Sequence, residues 1–295
     1  MSFFKQLFAS RKNPYKPWAN QRDRVEIDLS GTRLSMELPP HSNIEGFTRE
    51  PAPTTVNVYD DNAYQSDAES QGWQREGIAI RHLCNRDWDF RGPQWEQWPY
   101  GKVIFAASLA RYDALPEDMS CFNPAHFENV VLRRAYYRGP GQPDFAKQTA
   151  PNNWQLFSFD GNTAIYYEFH PDLSDPSIMQ DPFDRACTTS CLYIPVGTRH
   201  FLQLNFKFMG YAPADESLEN MNTVRDEVLS AVHCLLSDAQ SKDLQQARSR
   251  WPNAKARSSF NPQPWIYPEW RRGENENEPE IVRVTAGSPP PTLSF

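Results

Sequence analysis

The chain contains no apolar run approaching the roughly 18 residues that a membrane-spanning helix needs, so no integral membrane association is expected. Its start, MSFFKQLFASRKNPYKPW, lacks a continuous apolar core and a small-residue cleavage site, which sets aside a secretory signal. Glycine is scarce, 13 residues against 26 prolines. The phosphate-cradling patterns GxxxxGK[ST] and GxGxxG are missing, and so is the G-x-S-x-G elbow of serine hydrolases. An excess of cations is missing too: 30 Lys and Arg face 37 Asp and Glu, a formal net charge of −7. Affinity for a phosphate backbone rests on clustered Lys and Arg, so a nucleic-acid partner is not expected. The five cysteines, an odd number in 295 residues, do not suit a disulfide framework. Reduced thiols and a cytoplasmic location are the expectation.

What is present is aromatic. Hydrophobic residues make up 39% and aromatics 13%, so Phe, Tyr and Trp should build the core more than Leu and Ile. The chain is organised around residues 191–236. Within it, residues 201–209, FLQLNFKFM, alternate: Leu202, Leu204, Phe206 and Phe208 share one face, and Gln203, Asn205 and Lys207 the other. That period marks a half-buried strand. Val196-Gly197-Thr198 separates it from Leu192-Tyr193-Ile194, which predicts a hairpin. Asp215 is placed to cap a helix whose apolar stripe is Leu218, Met221, Val224, Val228, Val232 and Leu235.

Further elements follow from the same physics. Val25, Ile27 and Leu29 alternate with acids, Ser30-Gly31 can turn, and Leu34, Met36 and Leu38 alternate again up to Pro39-Pro40. Residues 54–59, 78–80 and 102–111 are strand candidates. Asn123-Pro124 reads as a cap with Pro at the first helical position. Asp160-Gly161-Asn162 joins two more strands, and Ser237 with Gln240 has capping-box spacing for a last helix ending before Pro252. Phe3, Phe4, Leu7 and Phe8 form a short amphipathic face, expected to pack on the protein's own body rather than enter a membrane interface. The fold class is therefore α+β: an antiparallel β-sheet flanked by helices, with Pro-rich arms at both ends. Residues 1–24 form the N-terminal arm, 25–250 a single α+β domain, and 251–295 a Pro/Trp-rich extension ending in a mobile tail of about twenty residues.

Candidate chemistry is sparse. His82 with Cys84, and Cys187 with Cys191, present soft ligands, but neither spacing matches a common zinc signature, so buried structural thiols are the favoured reading and no metal or cofactor is expected. Cys121 with His126 or His200 is the sort of pair that any chain with this many Cys and His offers. Asp87, Asp89 and Glu96 are the acids to consider for carboxylate chemistry, although acids in a loop are usually solvated. Recognition is better supported. Residues 86–100, RDWDFRGPQWEQWPY, put Trp88, Trp95 and Trp98 within eleven residues, interleaved with Asp87, Asp89, Glu96 and two arginines, in what reads as a loop. Trp265 and Trp270 form a second aromatic group near the C-terminus. Trp, Tyr and Arg dominate interface hot spots, because they bury large areas at low entropic cost. Core packing against the sheet is the competing reading for each tryptophan.

In layout the chain resembles the cytoplasmic immunity proteins that accompany bacterial type VI secretion toxins, some of which adopt a PsbP-like sheet flanked by helices. The resemblance rests on residues 33–39, RLSMELP, and on 201–209 leading into the helix at 216–236, and it spans about 25–236. It implies a non-enzymatic protein that occludes the active site of a cognate toxin, a nuclease being one candidate. Two other classes stay open. One is an enzyme of unfamiliar type using the loop carboxylates or a Cys/His metal site. The other is an adaptor of a secretion or phage-like assembly.

Overall fold

Among the described residues three other than glycine adopt positive φ, and two of them explain the hairpins. Ser30 and Gly31 have φ of 53° and 95°, and Asp160 and Gly161 have 50° and 74°. Successive left-handed residues make the two-residue turn whose twist matches paired strands. The first turn joins β1 (Asp23–Leu29) to β2 (Thr32–Leu38), the second β6 (Asn152–Phe159) to β7 (Asn162–Phe169). The computed structural model describes residues 6–42, 51–64, 77–141, 147–173, 186–259, 265 and 267, and the backbone of 269–272 and 279–283.

The architecture is α+β. A six-stranded antiparallel sheet has the order β4-β5-β9-β8-β7-β6, with β4 Ile78–Arg91, β5 Pro99–Tyr112, β8 Thr189–Pro195 and β9 His200–Met209. A smaller sheet, β10-β2-β1-β3, adds β3 (Thr55–Val56) and β10 (His233–Leu235), and its β1–β3 pairing is parallel. A third pairing joins β11 (Glu269–Arg272) to β12 (Pro279–Arg283). The long helices among the described residues are α1 (Pro124–Arg138), α2 (Ala214–Ser230) and α3 (Asp238–Arg250).

The large sheet is buried on both faces. On one, Trp88, Phe105, Leu204 and Phe206 pack with Ile27, Leu34 and Met36 of the small sheet and Met221, Val224 and Val228 of α2. Trp88 stacks on Phe105 at 5.8 Å between ring centroids. On the other, Phe127, Val130 and Val131 of α1 meet Tyr112, Tyr167, Tyr193 and Phe201. Each such side chain contributes about 1.5–3 kcal/mol by leaving water. Asn123 caps α1 by accepting from the backbone N–H groups of Ala125 (2.9 Å) and His126 (3.2 Å). Ser237 caps α3 by accepting from Gln240 N (3.2 Å).

Four expectations are corrected. Residues 86–91 are not loop but the end of β4, and only 92–98 turn before β5 begins. Asp215 does not cap α2: Pro213 precedes the helix without a side-chain hydrogen bond, and Asp215 sits in the first turn, where its charge suits the helix dipole. The helix stops at Ser230 rather than Leu236. Val232, Cys234 and Leu236 are buried alternately with exposed His233 and Leu235, so the apolar positions follow strand period there and β10 joins the small sheet. Finally, the tail is not uniformly irregular, since Pro279–Arg283 pairs with Glu269–Arg272. Phe3 and Phe4 lie outside the described residues; Leu7 is half-buried and Phe8 is exposed. Among the described residues no helix is long and apolar enough to cross a membrane.

Candidate functional site

The aromatic segment divides sharply. Trp88 is fully buried, with its indole Nε1 donating to Pro39 O at 3.0 Å, so it is core and not an exposed anchor. Alternation places Asp87 and Asp89 on the opposite face of β4, yet both are buried. Asp89 holds Arg91 at 2.9 Å. These two acids are strand residues engaged by their surroundings, not solvated loop carboxylates. Trp95 and Trp98, by contrast, are 69% and 81% exposed on the 92–98 turn, with exposed Glu96 between them.

The turn has a packed base. A Cβ on Gly92 would stand 2.6 Å from the Tyr100 hydroxyl and 2.7 Å from Glu96 Oε2, so a larger residue there would have to push these two side chains aside. Glu96 N donates to Pro93 O at 2.9 Å. Tyr100 packs on Tyr211 at 5.6 Å, and the guanidinium of Arg11 lies 5.4 Å above its ring. Burial and the neighbouring Glu96 raise the Tyr100 pKa, which keeps its proton available to that carboxylate. The two tryptophans thus project from an anchored hairpin end.

Trp265 belongs elsewhere. It is half-buried against Phe169 (5.5 Å) and covers Gly139 at the end of α1. Tyr267 beside it exchanges two hydrogen bonds with the backbone of Gln148, 2.8 Å and 2.9 Å. Trp270 lies in β11, and its side chain is outside the described residues. The two aromatic groups therefore do not form one described surface.

Cysteine chemistry is not favoured by the geometry. No group of three or more His, Cys, Asp and Glu placed to hold a metal occurs among the described residues. A bulge between His82 and Cys84 turns the two apart: His82 pairs with Ser108 on one face, while Cys84 packs in the core of the other. Cys191 Sγ accepts from Arg138 at 3.0 Å. Burial pushes the Cys121 thiol up to about 12, far from a thiolate at neutral pH. His200 is driven down to about 4 by burial and by Arg111, and His126 is lowered by burial as well.

The structure also holds a site that the sequence did not announce. A cleft of about 580 Å³ lies on the α1 face of the large sheet. Its floor includes Ser108 and Ala106 of β5 and Gln203, Asn205 and Lys207 of β9, with His82, Arg138 and Phe169 around it. The polar face of residues 201–209 reads as solvent-facing from its alternation, but Gln203 is only 2% exposed. Two amides and a lysine on a central strand were the available signal. No protein-family model matches the chain, and no curated protein matches it.

Proposed function

We propose that this is a non-catalytic binding protein of the immunity type, which neutralises a protein toxin by covering its active site and uses the 92–98 turn as an anchor. The observation that carries this reading is the pair Trp95 and Trp98, exposed on a turn whose base is pinned by Gly92, Glu96 and Tyr100. Exposed large aromatics on a preorganised turn lose little entropy on binding. Two tryptophans bring about 300–500 Å², roughly half of one side of a standard interface of about 800 Å² per partner. Glu96 between them and the net charge of −7 suit a partner with a basic active site. Depressed His200 and raised Cys121 argue for structural roles at the residues most often recruited for catalysis.

The test compares the native chain with Trp95→Ala and Trp98→Ala. Affinity capture from the native host, followed by a titration against the recovered protein, should show each variant about thirtyfold weaker, a loss of about 2 kcal/mol, with an unchanged melting temperature. A recovered partner whose toxicity the native chain suppresses would support the immunity role. Full affinity in both variants would remove the turn from the interface. A recovered partner without toxic activity would overturn the immunity reading while leaving a binding protein.

A further inference from the structure

We infer that the cleft on the α1 face is a binding site for a small organic anion with an apolar body and an N–H or O–H donor. This site is separate from the tryptophan turn. Its volume of about 580 Å³ falls within the range of about 300–1,000 Å³ usual for ligand pockets.

The floor is a grid fixed by strand register. Gln203 lies opposite Ser108, Asn205 opposite Ala106, and Lys207 opposite Ile104. On the far side of β5, His82 lies opposite Ser108, and Ser108 Oγ and His82 Nδ1 are 3.3 Å apart. Gln203 is only 2% exposed, and its Oε1 accepts no hydrogen bond from the described residues. Leaving a buried acceptor without a donor is costly, and a ligand donor entering the cleft would satisfy it.

Four residues along β9 from Gln203, at about 3.4 Å per residue, Lys207 stands about 14 Å away on the same face. Its side chain is exposed, and among the described residues no hydrogen-bond or ion-pair partner holds it. Arg138 adds a second cation, positioned by its Nη1 bonds to Asn205 (2.9 Å) and Cys191. No Asp or Glu is among the described lining residues. Ala106 lies between the two ends, beside Asn205, and Ile104 and Phe169 flank the Lys207 end, which gives the ligand's body apolar surface next to the cation. Trp265 braces Phe169 from behind, so this wall is packed rather than loose.

Anilinonaphthalene sulfonate has the required parts: an anionic group, an N–H and an apolar body. Its uncharged counterpart, N-phenylnaphthylamine, keeps the last two. Fluorescence titration of the native chain should give saturable one-to-one binding of the sulfonate, with the uncharged probe about tenfold weaker. Lys207→Glu should weaken the sulfonate about tenfold. Gln203→Leu should weaken it about fivefold without lowering the melting temperature, because the lost acceptor had no partner in the free protein. Ala106→Phe, which fills the floor, should abolish binding. Absence of saturable binding, or equal affinity across these variants and both probes, would overturn the site. Loss of binding in Trp95→Ala/Trp98→Ala, with the cleft variants unaffected, would overturn it equally by placing the probe on the turn.

Discussion

Glu168 is a buried carboxylate whose removal should be costly, and its contribution should fade with acid. It sits on β7, 7% exposed, and receives Asn153 Nδ2 at 2.7 Å and Arg225 Nη1 of α2 at 2.6 Å. The Tyr166 hydroxyl donates to it, and His170 Nε2 lies 3.0 Å away. Burial alone would raise its pKa, but the bonds from His170, Tyr166 and Asn153 and the charge of Arg225 outweigh that and hold it at about 2, below the ordinary 4.5. At about 1.4 kcal/mol per pH unit, this difference corresponds to about 3 kcal/mol of stability at neutral pH. Because the folded pKa lies below the unfolded one, the contribution is complete above about pH 5 and is lost as pH falls from 4.5 toward 2. Glu168→Gln should therefore be about 3 kcal/mol less stable than the native chain in urea at pH 7, and the gap should shrink by about 1.4 kcal/mol at pH 3.5. Glu168→Ala should cost about 3–5 kcal/mol, since it strands the largely buried Arg225. Glu168→Leu with Arg225→Met should recover much of that loss, because both charges leave together. A gap under about 1 kcal/mol at pH 7, or one that does not change down to pH 3.5, would refute the assignment of this network as the lock between α2 and the large sheet.

Other substitutions separate core from surface. Val228, 1% exposed on α2, should not tolerate Asp: the buried charge costs several kcal/mol, and the variant should be unfolded or insoluble. Leu235→Asp should be tolerated within about 0.5 kcal/mol, because Leu235 is 55% exposed on β10; a large drop in melting temperature would show that this strand is wrongly placed. The thiols give an independent check. Cys84, Cys121, Cys191 and Cys234 are buried, with Cys121 and Cys234 pushed up to about 12, and only Cys187 is half-buried. A disulfide reagent at pH 8 should modify at most Cys187 quickly in the folded chain and all five after denaturation, and rapid reaction of two or more would contradict the packing.

Features governed by neighbours in sequence were legible. Ser30-Gly31 and Asp160-Gly161 turn as their residue types require, and Asn123 and Ser237 cap as their spacing indicates. The end of β4 was not legible, because its charges mimic a loop. Asp87 and Asp89 are buried in a strand only because residues distant in sequence, His41 and Ser42, meet its backbone. Residues 231–236 misled for a different reason. Val232 and Leu235 fit a helical stripe, whereas Val232, Cys234 and Leu236 fit the strand period, and pairing with β2 decides between them. The cleft draws on β4, β5, β9 and α1, and no local pattern joins His82, Ser108, Arg138 and Gln203.

The way the chain closes its sheet edges bears on how it can recognise a partner. Along the outer side of β4, Tyr15 exchanges backbone bonds of 2.7 Å and 3.0 Å with Arg91. Ser42 N donates to Asp87 O at 2.9 Å, Asp89 N donates to Ser42 Oγ at 2.8 Å, and Asp87 N donates to His41 Nδ1 at 2.9 Å. Trp18, buried against Phe90, uses its indole N–H on Asp89 O at 3.1 Å. At the far side of the sheet, Trp154 of β6 donates to Arg257 O, and Arg257 is tied to buried Glu128 of α1 at 2.8 Å. An open edge would invite an added strand, with affinity supplied by backbone hydrogen bonds and little dependence on side chains. Over residues 87–91 those groups are already taken, so a partner cannot extend the sheet there without first displacing the N-terminal arm and residues 41–42. What the same end of the sheet does offer is side chains, Trp95 and Trp98 beyond the last paired residues. On the function proposed above, recognition at that end would depend on the fit of two indoles into a partner's pockets. This is a mode in which single substitutions change affinity steeply and leave the fold alone.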